Sequence, residues 1–199
     1  MPDITTRLRV DATPTAPALV LRPWTASDAP GLVALGRDRA LRRWTSFAVD
    51  DESSAVRWLR EQRQGWERGH FAFAVEEAHP SGTGGLVAGH VVLKNVVPGA
   101  ASAEVGYWTA ERARGRAIAP RALRALTDWT ATTFACDGLT RLELIHQTDN
   151  TASCRVAEKS RYELTAVLPP QPPAYPRDGH LHVRHLTRRP RVIATERAC

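Results

Sequence analysis

With 199 residues, 43% of them hydrophobic and six of them tryptophan, the chain has enough apolar material to build one full-sized domain. Its net charge of +6 reflects 27 basic against 21 acidic residues, but Arg177 to Cys199 alone carries six arginines against Asp178 and Glu196, a local +4. The body is therefore nearly neutral, nucleic-acid binding is not expected, and with no apolar run near the ~18 residues of a membrane span a soluble cytoplasmic protein is expected.

Residues 1–17 are polar and proline-punctuated and read as a flexible N-terminal segment. Ala18 to Trp24 is expected as a strand, and Ser27-Asp28 then caps a helix through Leu32 and Leu35. After a short segment around Leu41 to Phe47, Asp50 to Ser53 offers a second N-cap. Val56, Leu59, Arg63 and Trp66 recur at helical spacing until Gly69. Phe71 to Glu76 and Leu86 to Val96 read as strands joined by a glycine-rich hairpin loop, and Ala103 to Thr109 as a third antiparallel strand.

The pattern then changes to strand, helix, strand. Ala103 to Thr109, a helix from about Pro120 to Phe134, and Leu139 to Gln147 form a βαβ unit, which places the two strands parallel through a right-handed crossover. A shorter helix from about Asn150 to Lys159 and strands near Tyr162 to Val167 and His180 to Thr187 complete a domain spanning 18–187. Residues 188–199 are left as a basic tail. Five prolines between Pro169 and Pro176 exclude regular structure there.

The chemistry is concentrated in Glu104-Val-Gly-Tyr-Trp-Thr-Ala-Glu-Arg-Ala-Arg-Gly-Arg-Ala-Ile-Ala-Pro120, where a strand runs through an arginine- and glycine-bearing loop into a helix. Small residues at Gly115, Ala117 and Ala119 let backbone approach a ligand, and unpaired first-turn N–H groups present the positive end of the helix dipole. Arg112, Arg114 and Arg116 add cationic charge, so a pyrophosphate is the natural guest. No Gly-Lys-Ser/Thr and no Gly-x-Gly-x-x-Gly after a first strand is present, which excludes the usual triphosphate and dinucleotide sites.

At this point the sequence resembles the GCN5-related N-acetyltransferase (GNAT) family, most closely its ribosomal-protein N-terminal acetyltransferase (RimJ/RimL-like) branch. Arg112-Ala-Arg-Gly-Arg-Ala117 matches the family's pyrophosphate loop, and Asp149-Asn-Thr-Ala-Ser-Cys-Arg-Val-Ala-Glu-Lys159 matches the branch's Asn-x-x-Ser-x-x-Val-x-Glu-Lys helix. Leu21 to Asp28 resembles its first strand and helix cap. The departures are Arg161-Tyr162 where the family has Gly-Phe, at a helix end that often needs φ > 0, and a longer proline-rich insertion.

The resemblance implies a mixed α/β (α+β) sheet, mostly antiparallel, with a central splayed parallel pair flanked by helices. It implies acetyl-CoA as co-substrate, no metal, and transfer to a primary amine, on a small molecule or a peptide N-terminus. The implied cofactor contacts are Tyr107, Trp108, Thr109, Arg112, Arg114, Gly115, Arg116, Ala117, Ile118, Ala119 and Asn150. Glu104 is the first candidate for the base and His90 its rival, and Ser153 is the candidate general acid or thiolate stabiliser at the departing sulfur. Trp44, Phe47 and His90 are placed at the acceptor pocket. A non-catalytic acyl-CoA sensor and a tRNA- or ribosome-associated acyltransferase stand as alternatives, and a homodimer is compatible with the sequence.

Two further groups invite attention. On a strand His180 and His182 share one face and His185 takes the other, so these three do not converge on a metal. Cys136, Cys154 and Cys199 are odd in number, widely spaced and without a Cys-x-x-Cys pair, so free thiols are expected, with no His–Cys pairing apparent at Cys154.

Overall fold

The computed structural model describes residues 2–78, 85–173 and 175–186. Eight strands form one mixed sheet in the order β1-β2-β3-β4-β5-β6-β8-β7. They are β1 (Leu8–Val10), β2 (Leu19–Pro23), β3 (Phe71–Glu77), β4 (Val87–Lys94), β5 (Ser102–Thr109), β6 (Arg141–Gln147), β7 (Glu163–Leu168) and β8 (Gly179–His185). Only β5 and β6 are parallel. The helices are α1 (Ala29–Leu35), α2 (Arg39–Trp44), α3 (Glu52–Gly65), α4 (Ile118–Thr133) and α5 (Thr151–Lys159). The mixed sheet with its single parallel pair is the expected architecture.

Each face of the sheet has its own core. Leu21, Phe73, Leu93, Val105 and Leu142 pack beneath α4, with Leu123 and Leu126 from the helix. On the opposite face Trp24, Val92 and Trp108 meet Leu32, Val49 and Leu59 of the α1–α3 layer. Alternation along β5 explains the division, since Ala103, Val105 and Tyr107 belong to the first core and Trp108 to the second. Arg22 of β2 joins strand to helix. Its guanidinium bonds Asp28 (2.6 and 2.9 Å) and Glu76 Oε1 (3.0 Å from Nε). Burial works to raise the Asp28 pKa, but the Arg22 guanidinium and the Thr25 N–H outweigh it and hold this carboxyl below its ordinary value. Asp28 is the N-cap of α1, as expected, and closes back on Thr25 N–H at 2.8 Å, so that a short 3-10 turn over Ala26–Asp28, capped at Thr25, leads into the helix.

The N-terminal segment expected to be flexible contributes an edge strand instead. Leu8, Arg9 and Val10 pair antiparallel with Leu21, Val20 and Leu19. The Arg121 guanidinium of α4 donates to the carbonyls of Asp11 (2.6 Å) and Pro17 (2.7 Å) and so ties down the connecting loop. Three strand residues are too few to give a periodic signal, and the arginine that holds them comes from more than 100 residues away. Gly69 ends the α3 region at φ +77°, as expected of a left-handed cap. The basic tail lies outside the described residues.

The end of α5 shows what Arg161 costs. Tyr162 N–H donates to the Ala157 carbonyl (2.9 Å) and Arg161 N–H to the Glu158 carbonyl (3.0 Å), the paired bonds of a Schellman motif. Tyr162 is buried there, its hydroxyl 2.8 Å from Thr127 Oγ1. The motif requires a left-handed residue, and Arg161 supplies it at φ +61° with its side chain exposed. Replacing Arg161 by glycine removes this steric cost at some loss of unfolded-state restriction. Arg161→Gly is expected to raise stability by about 0.5–1 kcal/mol in urea unfolding.

Candidate active site

The parallel ladder between β5 and β6 runs from Ser102↔Arg141 to Val105↔Leu144 and stops. Both strands continue. β5 stays paired with β4 up to Gly89↔Thr109, and β6 stays paired with β8 up to Gln147↔Gly179. Residues 106–109 and 145–147 therefore flank a V-shaped opening, with main-chain groups along its walls that have no partner strand across it. An extended ligand with amide groups can bond these walls as a strand would.

The arginine loop lies at the end of β5. Gly115 has φ +76° and Ala117, the N-cap of α4, has φ +55°. A Cβ built on Gly115 meets nothing within 4 Å, so this face of the loop opens to space. Ile118 and Ala119 are buried, so what they offer a ligand is backbone N–H. The arginines are anchored to neighbouring elements. Arg116 makes a two-pronged contact with Glu77 (2.7 and 2.6 Å), Arg114 pairs with Asp38, and Arg112 donates to the Val87 carbonyl. A cleft of about 400 Å³ lined by Leu35, Asp38, Glu111 and Arg112 opens beside them. Asp38 and Glu77 carry no motif of their own, so sequence spacing did not connect them to the loop.

Across the opening, the Tyr107 hydroxyl of β5 donates to Ser153 Oγ of α5 at 3.0 Å. Burial pushes the Tyr107 phenol up to about 12, so it stays a neutral donor at working pH. Since Ser153 Oγ accepts from Tyr107, its own proton is free to point elsewhere. Asn150 is the N-cap of α5, its Oδ1 accepting from Ser153 N–H at 3.3 Å. Glu104 lies on the α1–α3 face in the last stretch of paired ladder, where Lys94 Nζ donates to its Oε1 at 2.6 Å. Lys94 is directly opposite Glu104 in the β4/β5 register, a partner that sequence alone did not supply.

Residues 18–163 match the model of the acetyltransferase (GNAT) domain. The chain belongs to the GNAT acetyltransferase family. As such it is an acetyltransferase, with acetyl-CoA as co-substrate. Solved structures share the fold of this GNAT chain. RimL, the ribosomal L7/L12 α-N-protein acetyltransferase in complex with coenzyme A, superimposes with a TM-score of 0.74 at 19% identity, over 91% of this chain and 99% of that one. Mycobacterium smegmatis RimJ in complex with CoA-disulfide gives 0.72 at 24% identity, over 90% and 86%. The microcin C7 self-immunity acetyltransferase MccE, in complex with acetyl-CoA and AMP, gives 0.72 at 16% identity, over 87% and 97%. No curated protein sequence matches this one.

On the α1–α3 face of the GNAT sheet an aromatic box surrounds His90. Its ring stacks on Trp108 (centroids 5.5 Å apart, 15° between planes) and lies near Trp24 and Trp58. Trp24 Nε1–H donates to His90 Nδ1 at 3.1 Å, so the lone pair of this imidazole is occupied and its proton is on Nε2. Burial, then the fields of His70 and Lys94, push its pKa down to about 3. That geometry suits a packed neutral imidazole rather than a base. Phe47 is buried in the same box, 5.4 Å from Trp108 and 5.6 Å from Trp58. Trp44 is half-buried beneath the Arg43 guanidinium (4.4 Å), and Arg43 in turn reaches Asp149 at 3.3 Å, just ahead of α5. Asp149 Oδ1 is buried without a hydrogen-bond partner.

The cysteines depart from expectation. Cys136 is disulfide-bonded, and Cys154 is the free cysteine among the described residues. His180 and His182 share one face of β8, but Cys154 and His146 join them, so the His–Cys pairing that sequence did not reveal is made by the fold.

The buried His90 has a measurable signature. The unfolded chain protonates this imidazole below about pH 6.5 and the folded chain not until about pH 3, so its contribution is fully present above pH 6.5 and is lost as pH falls through that window. His90→Gln keeps an acceptor for Trp24 and removes the titration. Between pH 6.5 and 5 the wild type is expected to lose about 2 kcal/mol more stability than this variant, read by urea unfolding at each pH.

Proposed function

We propose that this GNAT enzyme moves the acetyl group of acetyl-CoA to a primary amine by direct attack, in the opening between β5 and β6. The observation that carries the reading is the loss of β5/β6 pairing beyond Val105↔Leu144, with the Tyr107–Ser153 hydrogen bond spanning the gap. Acetyl-CoA supplies the acetyl group as an activated thioester. Backbone N–H groups at 115–119 hold the pyrophosphate, with the arginines close by, while main-chain groups of Trp108 and Thr109 bond the arm and Asn150 orients it. The walls convert an encounter in solution into a fixed approach, which is most of the catalysis.

The proton inventory assigns the side chains. As the amine nitrogen bonds to the carbonyl carbon, Glu104 takes its proton through a water, its carboxylate held in place by the hydrogen bond from Lys94 Nζ. When the carbon–sulfur bond breaks, its electron pair leaves with the sulfur, and Ser153, itself held by Tyr107, donates a hydrogen bond that stabilises the departing thiolate. His90, with its lone pair on Trp24 N–H, keeps the neighbouring aromatic wall rigid. The acceptor lies on the α1–α3 face, walled by Phe47 and Trp44. RimL is named for the ribosomal L7/L12 protein that it acetylates and MccE for self-immunity to microcin C7, and the amine here is a peptide N-terminus or a small molecule.

Thiol release measured over a panel of free-N-terminal peptides and small amines tests the reaction and its acceptor together, and no release above background hydrolysis with any of them overturns it. Within that assay Glu104→Gln is expected to lower turnover by ~10² to 10⁴, and Ser153→Ala by only ~10-fold to 10², because a thiolate leaves fairly well unaided. Both variants should still bind acetyl-CoA.

The cofactor assignment is tested separately. In Gly115→Asp the new side chain enters open space, so the fold survives with modest backbone strain at φ +76°, but a negative charge now faces the phosphates. Calorimetry is expected to show acetyl-CoA affinity reduced at least ~100-fold. Unchanged affinity would remove the loop from the site.

A further inference from the structure

The β6/β8 register places His146 opposite His180 and Leu144 opposite His182, so three imidazoles gather on one face of an antiparallel pair. The first turn of α5 brings Cys154 over them. His146 Nε2 lies 3.2 Å from His182 Nε2 and 3.6 Å from Cys154 Sγ, and Cys154 Sγ lies 3.3 Å from His180 Nδ1. One ligand atom from each of the four residues lies within 4.8 Å of all the others.

The protonation of two of these rings is constrained by their outer partners. His146 Nδ1 is 2.9 Å from the Gln147 carbonyl, and His182 Nδ1 is 3.4 Å from the Tyr162 carbonyl. A carbonyl only accepts, so each Nδ1 carries the proton and each Nε2 is left with a bare lone pair. Two lone pairs facing each other at 3.2 Å repel unless a positive centre lies between them. A shared proton would satisfy that pair but leave the sulfur and the third imidazole unexplained. A tetrahedral ion with bonds of ~2.0–2.1 Å to nitrogen and ~2.3 Å to sulfur spaces its ligands by roughly 3.3–3.7 Å, close to the 3.2, 3.3 and 3.6 Å of the three direct contacts here.

We propose that His146, Cys154, His180 and His182 form a tetrahedral binding site for a divalent cation of the zinc class. His146 and His182 bind through Nε2 and His180 through Nδ1, and the two carbonyl contacts fix the tautomers that ligation needs. Four protein ligands leave no open position, so the ion has a structural role and takes no part in the transfer. It joins β6, β8 and α5, and thereby fixes the helix turn that carries Ser153 beside the mouth of the opening. The site is independent of the acetyl-transfer reading, which requires no metal.

The test is a Co²⁺ titration of the tag-free full chain after chelator treatment. The expected result is one ion per chain, with a thiolate-to-cobalt charge-transfer band and the intense visible bands of tetrahedral cobalt, both abolished by Zn²⁺. Cys154→Ser should lose the charge-transfer band, and Cys154→Ser and His182→Ala should each weaken binding at least ~100-fold. His185→Ala, whose side chain lies on the other face of β8, should bind as the wild type does. No stoichiometric binding by the wild type at micromolar metal overturns the proposal, as does a thiolate band that persists in Cys154→Ser. If either ligand variant fails to fold by circular dichroism, the wild-type stoichiometry and its thiolate band decide the matter alone.

Discussion

The site depends on one interruption in one ladder. Backbone groups in a sheet interior are normally paired, and β5 and β6 abandon each other after Val105↔Leu144 while keeping their outer neighbours. The outer pairings make the interruption stable, because β4 and β8 hold the two strands in position without closing the gap. The proposed site is arranged around that gap. The arginine loop continues from one strand, α5 starts shortly after the other, and Tyr107 and Ser153 join the two sides.

The two cores on either side of the sheet give the gap two different surroundings. Beneath α4 and α5 the packing is aliphatic and aromatic with a few satisfied hydroxyls, such as Tyr162 on Thr127. On the α1–α3 side Trp24, Phe47, Trp58 and Trp108 enclose His90, a rigid wall whose single buried imidazole is satisfied by an indole N–H. In the proposed function these stiff rings back the acceptor side of the site, since little side-chain entropy is lost when a ligand docks against such a wall.

Much of this was legible in the sequence because it is local. The Gly69 helix stop, the Asn150 cap and the position at Arg161 that needs φ > 0 each follow from residues within a few positions of one another, and the α4 crossover follows from one strand-helix-strand pattern. What sequence did not reveal is set by register and by distant contacts. Lys94 meets Glu104 only because β4 and β5 pair in one particular alignment, and His146 meets His180 for the same reason across the β6/β8 pairing. A shift of one residue in either pairing would have turned these side chains to opposite faces. The β1 strand escaped for a different reason, as three residues held by Arg121 have no periodicity to read.

Asp38 has two attachments, and they point in different directions. One carboxylate oxygen accepts from the N–H groups of Ala40 and Leu41 and starts α2, while the other binds Arg114 of the phosphate loop. A helix cap and a loop tether thus share three atoms. In a mutational cycle the two elements cannot be varied independently, because whatever disturbs Asp38 from one side changes the contact on the other. In the proposed site, Trp44 at the end of α2 and the loop at Arg114 are thereby parts of one mechanical unit, linked through Asp38.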